Sequence, residues 1–127
     1  MDAPFVWSLP RASDTVSAVR RQMRRRCGDL PTPLVDDTLL LTSELVANAI
    51  RHGEGDVTVR LWPGPDVVRL EVSDTSSQLP APRHAGTEAE AGRGLALVDA
   101  LSSRWGATPR RSPAGKTVWF ELDAPRR

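Results

Sequence analysis

The sequence predicts an α/β chain of the α+β kind, a two-layer sandwich in which helices cover one face of a mixed, mostly antiparallel sheet. Three observations carry this. Residues 15–27 and 33–52 repeat apolar side chains at helical spacing. Residues 57–61 and 67–74 alternate apolar and polar side chains on either side of Pro63-Gly64-Pro65-Asp66, the pattern of a hairpin. The 127 residues suit one domain with one core and are too few for two.

Taken in chain order, Phe5–Leu9 is a short apolar run stopped by Pro10, read as an edge strand. Ser13 or Asp14 caps a helix running to about Cys27, with Val16, Val19, Met23 and Cys27 as its apolar stripe and Arg20, Arg21, Arg24, Arg25 and Arg26 on the other faces. After a loop over residues 28–33, Thr32 caps a second helix, with Pro33 at its first position and Asp36 and Asp37 in its early turns. That helix ends near Gly53, a C-cap, and the hairpin follows. Residues 75–91 are rich in Ser, Pro, Ala and Glu and lack a hydrophobic period; such a stretch inside a domain is a lid, a binding loop or disorder. Gly92-Arg93-Gly94 then opens a helix whose core side is Leu95, Val98 and Leu101 or Ala96. Trp105 begins a strand, residues 109–115 form a basic turn, and residues 117–122 are the last strand.

Composition narrows the function. With 39% hydrophobic and 26% charged residues the chain is an ordinary soluble globule, and a net charge of +1 does not indicate direct nucleic-acid binding. Cys27 is alone, so no internal disulfide forms, which fits a reducing compartment. Neither a signal-like start nor an apolar run of membrane-spanning length is present, so the expected location is cytoplasmic, with no membrane partner.

Chemistry is densest in Leu41-Thr42-Ser43-Glu44-Leu45-Val46-Ala47-Asn48-Ala49-Ile50-Arg51-His52. Glu44, Asn48 and His52 recur every fourth residue, so a helix sets them in one polar row among Leu41, Leu45, Val46, Ala49 and Ile50. A carboxylate and an amide in such surroundings need partners. A nucleotide-bound Mg²⁺ is one, because it takes one or two protein oxygens and completes its shell with water and phosphate. Asn48 would then hold the cation, and Glu44 would orient or deprotonate an attacking hydroxyl or water; a solvent-facing row fits the same spacing. His52 reads as a boundary or packing residue, since nothing nearby completes a zinc site.

Asp74 closes an apolar strand, where a carboxylate either accepts from the exocyclic amine of adenine and repels guanine or starts a turn. Gly92 and Gly94 either let backbone approach phosphates at a helix N-terminus or form a hinge. Gly115-Lys116-Thr117 is not a P-loop ending: the required first glycine falls at Arg110, and a strand follows where a helix must. Thr117 is placed to share a water with Asp74, although a β-branched residue suits any strand. The arginines of residues 20–26 dock an acidic partner or face solvent. Trp7, Trp62, Trp105 and Trp119 read as core or core-edge residues.

In order, these features are a helix with Glu-x-x-x-Asn, a hairpin ending in Asp, an irregular segment, Gly-x-Gly, and a strand with Gly-x-Thr. The series resembles the nucleotide-binding superfamily of gyrase, the heat-shock-90 chaperones, histidine kinases and MutL, whose Bergerat-type fold is the sandwich expected above. Within it, Glu44-Leu45-Val46-Ala47-Asn48-Ala49-Ile50-Arg51-His52-Gly53 and Gly92-Arg93-Gly94-Leu95-Ala96-Leu97-Val98-Asp99 look like the bacterial anti-sigma-factor serine kinases, and the likeness runs from about Phe5 to Leu122. It implies ATP or ADP with Mg²⁺. It further implies Asn48 as Mg²⁺ ligand, Glu44 as general base and Asp74 as adenine reader, helped through water by Thr117. Gly92 and Gly94 would shape the lid and the phosphate contacts, and residues 75–91 would be the ATP lid.

The implied partners are a sigma factor and a small STAS-type anti-anti-sigma protein phosphorylated on serine, with the basic first helix a candidate surface for a sigma factor or a homodimer. One departure is plain: the family continues its adenine-reading Asp as Asp-x-Gly-x-Gly, whereas here the run is Asp74-Thr75-Ser76-Ser77-Gln78, so that Ser76 narrows the pocket or lowers affinity. The expected function is an ATP-binding regulator, an anti-sigma factor with serine protein kinase activity. The alternatives are a sequestering module that binds nucleotide without turnover, and an interaction domain that binds none.

Overall fold

The computed structural model describes residues 3–77, 89–111 and 114–125. Its elements are β1 (Phe5–Leu9), α1 (Thr15–Arg26), α2 (Thr32–His52), β2 (Val57–Pro63), β3 (Val67–Asp74), α3 (Ala89–Leu101), β4 (Arg104–Arg111) and β5 (Ala114–Asp123). One five-stranded sheet runs in the order β1-β2-β3-β5-β4, with β1 at an edge as its Pro10 stop suggested. All four pairings are antiparallel, so among the described residues the sheet has no parallel component, where the sequence predicts a mixed one.

Alternation decides the layers. Val57, Val59 and Leu61, Val68, Leu70 and Val72, and Val118, Phe120 and Leu122 face the helices and form one core with Val19, Met23, Leu41, Leu45, Val46, Leu95 and Val98. The opposite sheet face carries Arg69, Glu71, Trp119 and Glu121. No described helix is long and apolar enough to cross a membrane.

Several boundaries differ from expectation. Asp14 precedes α1 without a side-chain cap bond; instead the Thr15 hydroxyl donates to the Pro10 carbonyl at 2.7 Å. Thr32 is the first residue of α2, and Pro31 holds the cap position. Most of the turn expected over residues 109–115 is paired strand, with Pro109 opposite Lys116 and Arg110 opposite Gly115. Helix α3 starts at Ala89, so Gly92 and Gly94 lie within its first two turns and do not precede it; Ala89, Glu90 and Ala91 are good helix formers that extend it backwards. The rest of the expected lid, residues 78–88, lies outside the described residues.

Candidate functional site

The second half of α2 touches two other parts of the chain: the first turns of α3, through Gly94, and the end of β3, whose Asp74 lies opposite Lys116 at the start of β5. Glu44 and Asn48 sit one turn apart on the α2 side that faces α3. Contact there is permitted by a glycine: a Cβ on Gly94 would stand 2.9 Å from Glu44 Oε2 and 3.5 Å from Asn48 Nδ2. The structure therefore brings Glu44, Asn48 and Gly94 together. Gly92 is in the same helix, and its surroundings lie outside what is described. Asn48 Nδ2 is buried without a hydrogen-bond partner among the described residues. Such orphans are uncommon in folded proteins.

A second glycine joins α2 to β3. A Cβ on Gly53 would lie 2.6 Å from Asp74 Oδ2 and 2.6 Å from the Ala49 carbonyl, so only glycine lets the helix end close over the carboxylate. Gly53 has extended backbone, and its N–H caps the helix on Ala49 O. Arg11 completes this end, donating to the carbonyls of Ile50 at 2.6 Å and Gly53 at 2.9 Å. A cation at the final carbonyls complements the helix dipole. His52 is exposed at that terminus, in line with a boundary role.

Asp74 is 3% exposed. Its Oδ1 accepts from the Ser76 backbone N–H at 2.7 Å, closing a small turn. Lys116, the one lysine of the chain and 6% exposed, places Nζ 3.1 Å from Oδ2 and 3.2 Å from Oδ1. Arg110 Nη2 donates to the Asp74 carbonyl at 3.4 Å. Ser76, whose side chain was expected to narrow a pocket, thus acts on Asp74 through its amide.

Thr117 is the site residue that the structure places elsewhere. It pairs with Ser73 across the β3–β5 ladder, and its hydroxyl is 2.8 Å from the Ser73 hydroxyl. Period-two alternation turns both away from the Asp74 face. The residue opposite Asp74 is Lys116, one position earlier. Read as the end of a phosphate loop or as Gly-x-Thr, the tripeptide Gly115-Lys116-Thr117 gives its lysine no role. Counting back in twos from Leu122, Phe120 and Val118 would have put Lys116 inside.

Two of the α1 arginines have partners within the chain. Arg20 donates to Ser43 Oγ at 2.7 Å, and the Arg26 guanidinium lies 4.6 Å from the Phe5 ring centroid. Among the described residues no group of three His, Cys, Asp or Glu side chains could hold a metal unaided.

Residues 6–122 match the model of the histidine kinase-like ATPase domain family. An uncharacterized Streptomyces coelicolor protein, SCO4941, is 41% identical over 73 residues, covering 54% of this chain and 70% of that one. In fold the chain is similar to a Mycobacterium tuberculosis structure of the RsbU and RsbW domains of Rv1364c, with a TM-score of 0.72 and 21% identity over 99% of this chain and 34% of that chain. It is also similar to the histidine kinase domain of a blue-light activated histidine kinase from Erythrobacter litoralis EL346, with a TM-score of 0.56 and 19% identity over 91% of this chain and 61% of that one. The chain thus spans less than two thirds of either solved relative. With a family match over nearly its full length and the same architecture in both solved relatives, the chain belongs to the histidine kinase-like ATPase domain family.

Proposed function

We propose that this chain binds ATP with Mg²⁺ where α2, β3, α3 and β5 meet, and transfers the terminal phosphoryl group to a serine of a STAS-type anti-anti-sigma protein, thereby controlling a sigma factor. The observation that carries the reading is the buried Asn48 Nδ2, a donor without a partner among the described residues, beside Glu44 and Gly94. A buried polar group without a protein partner, one helical turn from a carboxylate, marks a place for a polar ligand.

The residues fit that ligand. Mg²⁺ needs few protein oxygens when phosphates and waters supply the others, which suits a site with one amide and, among the described residues, no acidic cage. When bound, Mg²⁺·ATP supplies the phosphoryl group and the neutralisation of its developing charge. Asn48 would hold the cation through its amide oxygen. Glu44 would take the proton of the attacking serine hydroxyl. Asp74 would accept from the adenine amine, and Gly94 would let α3 lie against Glu44 and Asn48. The family match supports the nucleotide; the Glu44–Gly53 wording, similar to the anti-sigma-factor kinases, and the fold likeness to a chain with an RsbW domain support the kinase.

Calorimetry of the protein with Mg²⁺·ATP tests the site, and phosphoserine formation on a panel of STAS-type proteins tests the reaction. Glu44→Ala should keep ATP affinity within about threefold and lose transfer by about a hundredfold or more, the scale of losing a general base. No binding heat would remove the site. Unchanged transfer in the variant would remove the role of Glu44. One observation favours the interaction domain that binds no nucleotide instead: the Asp74 carboxylate already has Ser76 and Lys116 as partners. In that case calorimetry gives no heat with Mg²⁺·ATP, and the partner is still held.

A further inference from the structure

We infer that Lys116 is a base-reading residue, which together with Asp74 presents a donor beside an acceptor to the Watson–Crick edge of the bound adenine. The inference rests on the nucleotide reading above and concerns a residue to which that reading gives no role. Four observations support it. Lys116 is buried at the first inward-facing position of β5 that opposes Asp74. Its ammonium touches both carboxylate oxygens, at 3.1 and 3.2 Å. Gly115 keeps the β5 backbone against the Asp74 carbonyl, where any Cβ would collide with that oxygen, so the lysine is held at the strand end. Finally, the two glycines of the Asp-x-Gly-x-Gly run that would bring backbone to a base after Asp74 are replaced by Ser76 and Gln78.

Hydrogen-bond capacity decides what the pair can do. An ammonium has three donors and a carboxylate about four acceptor positions. The Ser76 amide and the Lys116 ammonium occupy up to three of those positions, leaving one for a ligand amine. Contact with two carboxylate oxygens uses at most two N–H groups of Lys116, leaving one for a ligand acceptor. Adenine carries such an amine next to a ring nitrogen that only accepts. Asp74 therefore takes the amine, and Lys116 donates to the adjacent N1. A buried Asp–Lys pair is weak evidence for stability, because desolvating both charges offsets their attraction; a direct contact with base gives this one a function.

The test compares ATP with 1-deaza-ATP, in which N1 is replaced by C–H, on the wild type, Lys116→Met and the charge-neutral double variant D74N/K116M. Binding with Mg²⁺ is followed by calorimetry, and folding by circular dichroism. The wild type should bind the deaza nucleotide about tenfold or more weakly than ATP, the scale of a hydrogen bond to a charged group. Both variants should bind the two nucleotides within about twofold of each other. The double variant keeps the comparison available if Lys116→Met unfolds with Asp74 left unpaired. Undiminished discrimination in a folded variant would show that another group reads N1, and would overturn the role of Lys116 while leaving the ATP site intact. Absence of ATP binding by the wild type would overturn both.

Discussion

A methyl group at Gly94 is a sensitive probe of the site. Alanine is a better helix former than glycine by about 1 kcal/mol, so G94A should fold and melt at or slightly above the wild-type temperature. Its Cβ, however, would stand 2.9 Å from Glu44 Oε2, and the carboxylate must swing aside. Mg²⁺·ATP affinity, phosphoryl transfer or both should fall while thermal stability does not. Wild-type values of both in G94A would separate this glycine from the site. The same scale shows where sequence reading stopped. The grouping of Glu44, Asn48 and Gly94 was legible because each lies in a local motif. The burial of Lys116 against Asp74 was not, because it depends on strand parity: a shift of one residue exchanges the two faces of a sheet, and a Gly-x-Thr match points to Thr117. The approach of Gly53 to Asp74 and the role of Arg11 were hidden for another reason, since both come from contacts far apart in sequence.

At the scale of elements, the sheet face away from the helices is built as a ladder of charges and indoles. Glu121 on β5 accepts from Arg104 Nε at 2.7 Å and Arg69 Nη1 at 2.9 Å, and Arg69 also reaches Glu71 at 3.0 Å. The Arg69 guanidinium stacks 4.3 Å from the Trp119 ring centroid, and Trp119 itself lies over Gly106, where a Cβ would be 2.9 Å from the indole. Trp62 and Trp119 are thus half-buried on the outer face, whereas Trp7 and Trp105 pack at the edge of the core, the latter donating its indole N–H to Asp99 at 2.7 Å. Aromatic content alone gives no hint of which face a tryptophan takes. The Arg104 hydrogen bond, seconded by that of Arg69 and opposed by burial, holds the Glu121 carboxyl below its ordinary 4.5. A carboxyl with a lowered folded-state pKa favours the folded chain when ionised. Its contribution is complete above about pH 4.5 and is lost as pH falls through the folded-state value. Glu121→Gln should cost about 1 kcal/mol near neutrality, in the range of exposed ion pairs, and the gap to wild type should close in urea melts as pH falls below about 4.5. A gap independent of pH would assign the loss to packing.

At the scale of the whole molecule, the fold was legible because burial writes itself into the chain. Alternating valines and leucines mark β2, β3 and β5, and helical stripes mark α1 and α2, so each local pattern agrees with its place in the two layers. The site obeys the opposite rule. It gathers where the ends of α2, β3 and β5 and the start of α3 meet, and it holds a polar atom that folding alone does not satisfy. This contrast yields a prediction about stability. Burying an amide without a partner costs free energy that ordinary core residues do not incur. Asn48 Nδ2 is such a group, set beside Glu44 on a helix whose next residue, Ala49, is already core. Asn48→Ala removes the unsatisfied donor and places a stronger helix former at the same position. The variant should therefore unfold at an equal or higher temperature, while losing Mg²⁺·ATP affinity by about tenfold or more as the proposed cation ligand disappears. Thermal melts with and without nucleotide check both halves at once, because a bound ligand raises the midpoint of the wild type and would no longer raise that of the variant. A lower midpoint without nucleotide would make Asn48 a structural residue, and an undiminished shift with nucleotide would take it out of the cation site.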